Sequence, residues 1–249
     1  MPRYFIEVAY KGTNYSGFQI QQNANSIQGE ITKALKVFFK KDFELTGSSR
    51  TDAGVHAFQN FFHFDTDETL NAENRFHYNL NAILPFDIVI KNFYPVKDTA
   101  HCRFDAVSRE YKYFIYQNKN PFLNDRAFYF PYKVNIEKLN EAAQQIINYE
   151  DFTSFSKQHT QVNNFICKIE KSFWRIEDGT LVYNVIANRF LRGMVKGLTG
   201  TMLRVGTDKI SINNFIEIIE EKKLSNVDFS PPSHALFLIS VNFKDDIFL

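Results

Sequence analysis

Apolar and polar positions along the chain define its elements. YFIEVAY, residues 4 to 10, alternates as a half-buried strand does. KGTNYSGFQIQQNAN then reads as a polar loop carrying glycines. The next helix is expected to begin near Asn25 or at Ser-Ile-Gln, without Ser26 as its cap, and Ile31, Leu35, Phe38 and Phe39 recur on its core face. DFELTGSSR and VHAFQNFFHF read as extended segments flanking the stretch that links them. A short helix near residues 72 to 80 follows, then a strand in DIVIKNFYPV, residues 87 to 96.

The second half repeats that order. REYKYFIYQ, residues 109 to 117, alternates as a strand, which puts Tyr111 and Tyr113 on one face and Tyr116 on the other. Asn135 is placed to cap a helix whose apolar set is Leu139, Ala142, Ala143, Ile146 and Ile147. SFWRIED and LVYNVIAN form a hairpin around Asp178-Gly179. Phe190, Met194, Leu198 and Met202 line a further helix, a last one runs from about Ser211 to Lys223, and HALFLISVNF is a closing strand. Strand, helix, strand, strand, given twice, does not fit parallel βαβ winding. The pattern implies an α+β protein with a broad, mainly antiparallel sheet and helices on one side. The likeliest seam is near residues 97 to 103.

Composition changes this picture little. The chain has 249 residues with a net charge of +1, and 27 Phe and 12 Tyr stand against a single Trp. Most of these rings must be core, leaving a few as candidate stacking platforms. The basic residues are local: Arg189, Arg192, Lys196, Arg204 and Lys209 fall within 21 residues, opposed only by Asp208. At three- and four-residue steps Arg189, Arg192 and Lys196 would share a helix face, as a solvated stripe or as a basic ridge. Lys33, Lys36, Lys40 and Lys41 read as a solvated face. Gly193, Gly197 and Gly200 would sit within the same helix, at about 1 kcal/mol each relative to alanine, which suggests close backbone packing. Cys102 and Cys167 belong to no paired motif and read as free thiols, and the six histidines show no metal-ligand spacing. The N-terminus lacks a charged leader and apolar core, and no apolar run approaches membrane-spanning length, so a cytoplasmic protein is expected.

One stretch asks for chemistry. GSSRTDAGVHAFQ, residues 47 to 59, places Arg50 and Asp52 in a tight inter-strand loop. Asp followed by x-Gly is common in turns, where the carboxylate caps a backbone N–H. Arginine two residues away instead suggests a carboxylate that reacts beside a group able to reach a phosphate or base. The residues alone leave both readings open.

Taken in order, AYKGTNYSGFQIQ, GSSRTDAGVHA, LNAILPFDI, REYKYFIY, DFTSF, FLRGMVKGLTGTMLRVG and PPSHALFL resemble the tRNA pseudouridine synthase A (TruA) family over nearly the whole chain. RTDAGVHA is the specific piece. The resemblance implies the pseudouridine synthase fold, two ferredoxin-like halves sharing a mainly antiparallel mixed sheet, with residues 1–100 carrying the catalytic loop and 101–249 completing the cleft. It implies isomerisation of uridine to pseudouridine without a cofactor or metal, in the anticodon stem-loop of tRNA at positions 38 to 40, by a homodimer. On it Asp52 is the catalytic aspartate, Lys196 the basic partner, Tyr111 the ring that stacks on the target uracil, and Arg50 the arginine that helps extrude it. Arg189 and Arg192 are further RNA-binding candidates. The family usually carries arginine where Lys196 stands, Gly-Ala-Gly or similar where this chain has Gly47-Ser48-Ser49, tryptophan at Phe18 and glycine at Ala235. Two alternatives stay open: a pseudouridine synthase with another RNA target, and a non-catalytic RNA-binding or chaperone homologue.

Overall fold

A computed structural model describes residues 1–67, 70, 76–157 and 164–249. Nine strands and five α-helices are present among them. Five of the strand pairs are antiparallel and one is parallel, so the protein is α+β with a mainly antiparallel, mixed arrangement. The chain divides into two compact units, Met1–Val107 with Leu238–Leu249, and Ser108–Phe237. The closing strand thus returns to the first unit.

In the first unit β1 (Arg3–Tyr10), β3 (His56–Asp65), β4 (Ile88–Val96) and β9 (Leu236–Phe243) follow the order β4-β1-β3-β9, with the two-residue β2 (Thr46–Gly47) on β3. Only Thr46 and Gly47 of the expected extended segment DFELTGSSR join the ladder. Ile6 stands opposite Phe62 and Tyr4 opposite Phe64. β1 is not half-buried, as its alternation suggested. Residues 4 to 8 are all buried, because apolar groups cover both faces. On one, Phe18 stacks on Phe62 at 4.6 Å and Phe43 meets Phe64 edge-on at 5.2 Å. On the other, Phe5 and Phe61 each lie 5.1 Å from Phe243. Glu7 tolerates that second face because Lys91 pairs with it at 2.6 Å and the Tyr94 hydroxyl donates to it at 2.7 Å.

The helix α1 (Ile27–Phe39) is capped by Ser26 after all: its backbone is extended and its Oγ accepts the Gly29 N–H at 3.2 Å. Ile31 and Leu35 are buried as expected, whereas Phe38 and Phe39 are half-buried and pack edge-on and tilted against Phe76. That ring opens α2 (Phe76–Ile83). The start expected for this helix, at residues 72 to 75, lies outside the described residues.

In the second unit β5 (Ala106–Tyr116), β7 (Ile169–Glu177) and β8 (Thr180–Ala187) run β5-β8-β7, with the short β6 (Phe128–Tyr129) parallel to β5. Asp178 and Gly179 turn the β7–β8 hairpin with φ of 47° and 74°, the positive values a two-residue primed turn needs. α3 (Ile136–Gln145) starts at Asn135, whose side chain accepts from the N–H groups of Glu137 and Lys138. It also closes the outer edge of β7: Asn140 exchanges two hydrogen bonds with the Trp174 backbone and Gln144 donates to the Ser172 carbonyl. Ile147 falls beyond the helix and is exposed. α4 (Met194–Gly206) and α5 (Ile212–Glu220) complete the unit, the latter opened by a capping box between Ser211 and Asn214. No helix among the described residues is long and apolar enough to cross a membrane.

Both cysteines are free and buried. Cys102 is held by His63 of β3: the Cys102 N–H donates to His63 Nδ1 at 3.3 Å and its thiol donates to the Thr46 carbonyl at 3.2 Å. Burial, with the nearby charges of His101 and Arg3, pushes the His63 imidazole down to about 4. Protonating Nδ1 would remove the acceptor for Cys102. His63 therefore stays neutral in the fold where the unfolded chain would protonate it. Stability is fully present above the ordinary histidine value and is lost as pH falls from there towards 4, by on the order of 1–3 kcal/mol. Urea midpoints at pH 7 and pH 5 should therefore fall with pH, and His63→Gln should flatten that fall. An unchanged slope in the variant would assign the pH dependence to other groups.

Candidate active site

Residues 48 to 55 link β2 to β3 and carry the sequence's suspicious carboxylate. From Ser49 to Asp52 the side chains alternate between buried and outward positions. Arg50 is exposed and Asp52 half-exposed, while Thr51 between them is buried. Thr51 is the anchor. Its hydroxyl meets the Tyr10 hydroxyl at 2.8 Å, and its carbonyl accepts the Phe18 N–H at 3.1 Å. The Tyr10 hydroxyl in turn accepts from Asn60 Nδ2 at 3.1 Å. Burial holds the Tyr10 phenol neutral, its pKa well above the ordinary value.

Asn60, fully buried on β3, does most of the holding. Its Nδ2 donates to the Ser49 carbonyl at 2.8 Å and its Oδ1 accepts the Ser49 N–H at 3.2 Å. One side-chain amide thus takes the place of a strand partner for Ser49, directly before Arg50. Beyond Asp52 the chain turns, with Val55 N–H donating to the Asp52 carbonyl at 3.2 Å. The loop after β1 backs this turn so closely that a Cβ on Gly12 would lie 2.0 Å from the Val55 carbonyl oxygen, which only glycine permits. The Gly12 N–H donates to His56 Nδ1 at 3.0 Å. Asp52 is therefore carried on a segment fixed on both sides by buried hydrogen bonds.

The other candidates belong to the second unit. Tyr111, half-buried on β5, stands opposite Val185 and meets Phe190 edge-on at 5.0 Å. Tyr113 on the same strand face is fully buried, its hydroxyl donating to the Pro232 carbonyl at 2.7 Å. Lys196 is in the first turn of α4 and its Nζ donates to Ser233 Oγ at 3.3 Å. A cation there opposes the helix dipole by about 0.3–1 kcal/mol, a cost that packing does not require.

The expected three-residue basic ridge is not a helix face. α4 begins only at Met194, because Gly193 caps it at φ 76°, so Phe190, Arg189 and Arg192 precede the helix. Arg189 donates to Asn164 Oδ1 at 3.1 Å, and Arg192 is exposed. The close packing expected of the glycines does hold within α4: a Cβ on Gly200 would lie 2.2 Å from the Asp228 carbonyl oxygen. Among the described residues no group of three or more His, Cys, Asp or Glu side chains is placed to hold a metal ion.

The sequence reading missed Tyr10, Thr51, Asn60 and Ser233. Asn60 had one faint signal, an amide beside Gln59 in the largely aromatic run FQNFFHF.

A family model described as tRNA pseudouridine synthase matches residues 6–105 and 142–244. The chain is 43% identical over 248 residues to a tRNA pseudouridine synthase A of Azobacteroides pseudotrichonymphae, covering 100% of this chain and 99% of that one. A tRNA pseudouridine synthase A of Bacteroides fragilis is 44% identical, with 99% and 98% covered, and one of Staphylococcus aureus is 35% identical, with 98% and 93% covered. The chain belongs to the tRNA pseudouridine synthase family, a family of isomerases.

Truncating the Asn60 side chain isolates its role. Asn60→Ala leaves the Ser49 N–H and carbonyl without their partner and should cost about 2–4 kcal/mol. Denaturant unfolding, with hydrogen exchange at the Ser49 amide, measures it. Unchanged exchange at Ser49 would show that the loop is held by something else.

Proposed function

We propose that this protein isomerises uridine to pseudouridine in the anticodon stem-loop of tRNA, at positions 38 to 40. The observation that carries the proposal is Asp52, presented beside Arg50 on a loop that Asn60 and Tyr10 fix from beneath. Family membership supports the reaction, and the relatives' names support tRNA as the substrate.

The reaction balances with no co-reactant. The bond from uracil N1 to ribose C1′ breaks, C5 bonds to C1′ instead, C5 loses a proton and N1 gains one. Asp52 is the carboxylate that acts on the ribose, and it must be ionised to do so. Arg50, exposed two residues away, takes the place of the uridine as it leaves the stack. Tyr111 offers its ring to the extruded uracil, and Lys196 brings a positive charge to the reacting nucleotide. Arg189 and Arg192 contact phosphates of the same RNA, so a chain of net charge +1 binds a polyanion through local clusters. A cytoplasmic homodimer is the form in which we expect it to work, with the aspartate loop in the N-terminal half of the sequence and Tyr111 and Lys196 in the C-terminal half.

The test is pseudouridine formation on unmodified tRNA transcripts, mapped by position, with wild type and Asp52→Asn side by side. Product at anticodon-stem uridines is expected from wild type, with the variant slower by at least about a thousandfold. Product at other positions would keep the reaction and move the target. A folded wild type that binds tRNA and forms no product would overturn the proposal in favour of a non-catalytic RNA-binding role.

A further inference from the structure

The same unit carries a second feature that the reaction leaves unused. The turn HCRFD, residues 101 to 105, is rigidly built. The His101 N–H donates to Asp105 Oδ2 at 2.7 Å, and His101 Nδ1 accepts the Arg103 N–H at 3.1 Å. Cys102 plugs the turn into the core through His63 and Thr46, and Arg3 Nη1 donates to the Ala100 carbonyl at 2.8 Å just before it. Cys102 is fully buried, Arg103 half-buried, and Phe104 faces outward. Phe104 is 73% exposed, an unusual place for a large ring on a rigid turn. One side of it is buttressed by His101, ring centroids 4.3 Å apart, and the Arg103 guanidinium sits 5.6 Å from its centroid.

These side chains border a pocket of about 210 Å³ that reaches the catalytic loop, its wall including Phe18, Gln28, Arg50, His101, Arg103 and Phe104. The lining holds two arginines and a histidine and no carboxylate. It is too small for the few hundred Å³ of a drug-sized ligand and suits one nucleotide moiety. A mostly exposed aromatic ring beside guanidinium groups is the pairing that single-stranded nucleic acid uses, base on ring and phosphate on arginine.

We propose that this pocket binds the RNA nucleotide adjoining the target uridine, its base against Phe104 and its phosphate at Arg103, with Arg50 shared between the two sites. The inference rests on the tRNA reading above and adds to it a binding site and two residues. Pinning of the turn by Cys102 lowers the backbone-ordering cost of presenting both groups when RNA arrives.

The test measures tRNA dissociation constants in the Asp52→Asn background, where no product forms. Phe104→Leu should weaken binding about tenfold and Phe104→Trp by less than about twofold. Arg103→Gln should weaken it comparably and lower the slope of log affinity against log salt by about one. Because Phe104 is mostly in solvent, thermal melts of these variants should match the parent. Dissociation constants within about twofold of the parent for Phe104→Leu, with an unchanged salt slope for Arg103→Gln, would overturn the proposal. Turnover by the protein carrying wild-type Asp52 is scored separately, so a failure of the reaction and a failure of the pocket give different results.

Discussion

A side-chain amide standing in for a strand is the constraint on which the rest of the site depends. β2 ends at Gly47, and the Ser48 N–H makes one more bond to the Phe61 carbonyl of β3 at 2.8 Å. From Ser49 the chain entering the Asp52 loop therefore loses its strand partner just where its direction must be fixed. Asn60 supplies a donor and an acceptor at the correct spacing from inside the core, and Tyr10 carries the restraint two residues further to Thr51. With Thr51 buried and tied inward, its neighbours Arg50 and Asp52 lie towards solvent. The cost is visible at the same place: the Ser48 and Ser49 hydroxyls are buried without a hydrogen-bond partner among the described residues, about 1–3 kcal/mol each. A loop that keeps such groups is held by its neighbours and not by its own preference.

This arrangement explains why the first unit is so aromatic. Asn60 and Tyr10 can form strong hydrogen bonds only where water is excluded. The stacked Phe18 and Phe62 rings beside them, and the Phe5, Phe61 and Phe243 cluster on the opposite face, provide that exclusion. The aromatic core also anchors the HCRFD turn, because Cys102 and His63 meet within it. The Asp52 loop and the Arg103–Phe104 pair are therefore two features of one compact unit, and acid that protonates His63 should loosen the second of them.

Much of the fold was legible because burial follows periodicity. Leu139, Ala142 and Ala143 repeat at helical spacing and are buried in α3, and the Asp178-Gly179 turn needed no tertiary information. The failures have equally local causes. Ser26 caps α1 although the loop before it reads as featureless, because capping depends on the backbone conformation of one residue. Gly193 adopts positive φ, so a basic stripe that spacing would place on one helix turn is split between a loop and α4. β1 looks half-buried in sequence, since Glu7 supplies the polar position, yet Lys91, Tyr94 and Gln59 neutralise that position from neighbouring strands. The residues alone single out Arg50, Asp52, Tyr111 and Lys196, but their roles come from a family resemblance, which reads chemistry but not support. Asn60 and Tyr10 lie outside it, since their role exists only once β1 and β3 are side by side.

The central claim is that Asp52 works because the segment carrying it is fixed by the buried Tyr10 and Asn60 groups. Its most direct test is the single-turnover rate of pseudouridine formation by Tyr10→Phe, with tRNA fully bound. The substitution keeps the ring and removes the hydroxyl that joins Thr51 to Asn60. The account predicts chemistry slowed by about ten- to a hundredfold with tRNA affinity unchanged, since misplacing a reacting group by about 1 Å carries such a cost. A rate equal to wild type would contradict it, and would mean that Asp52 finds its geometry from the RNA and not from the fold.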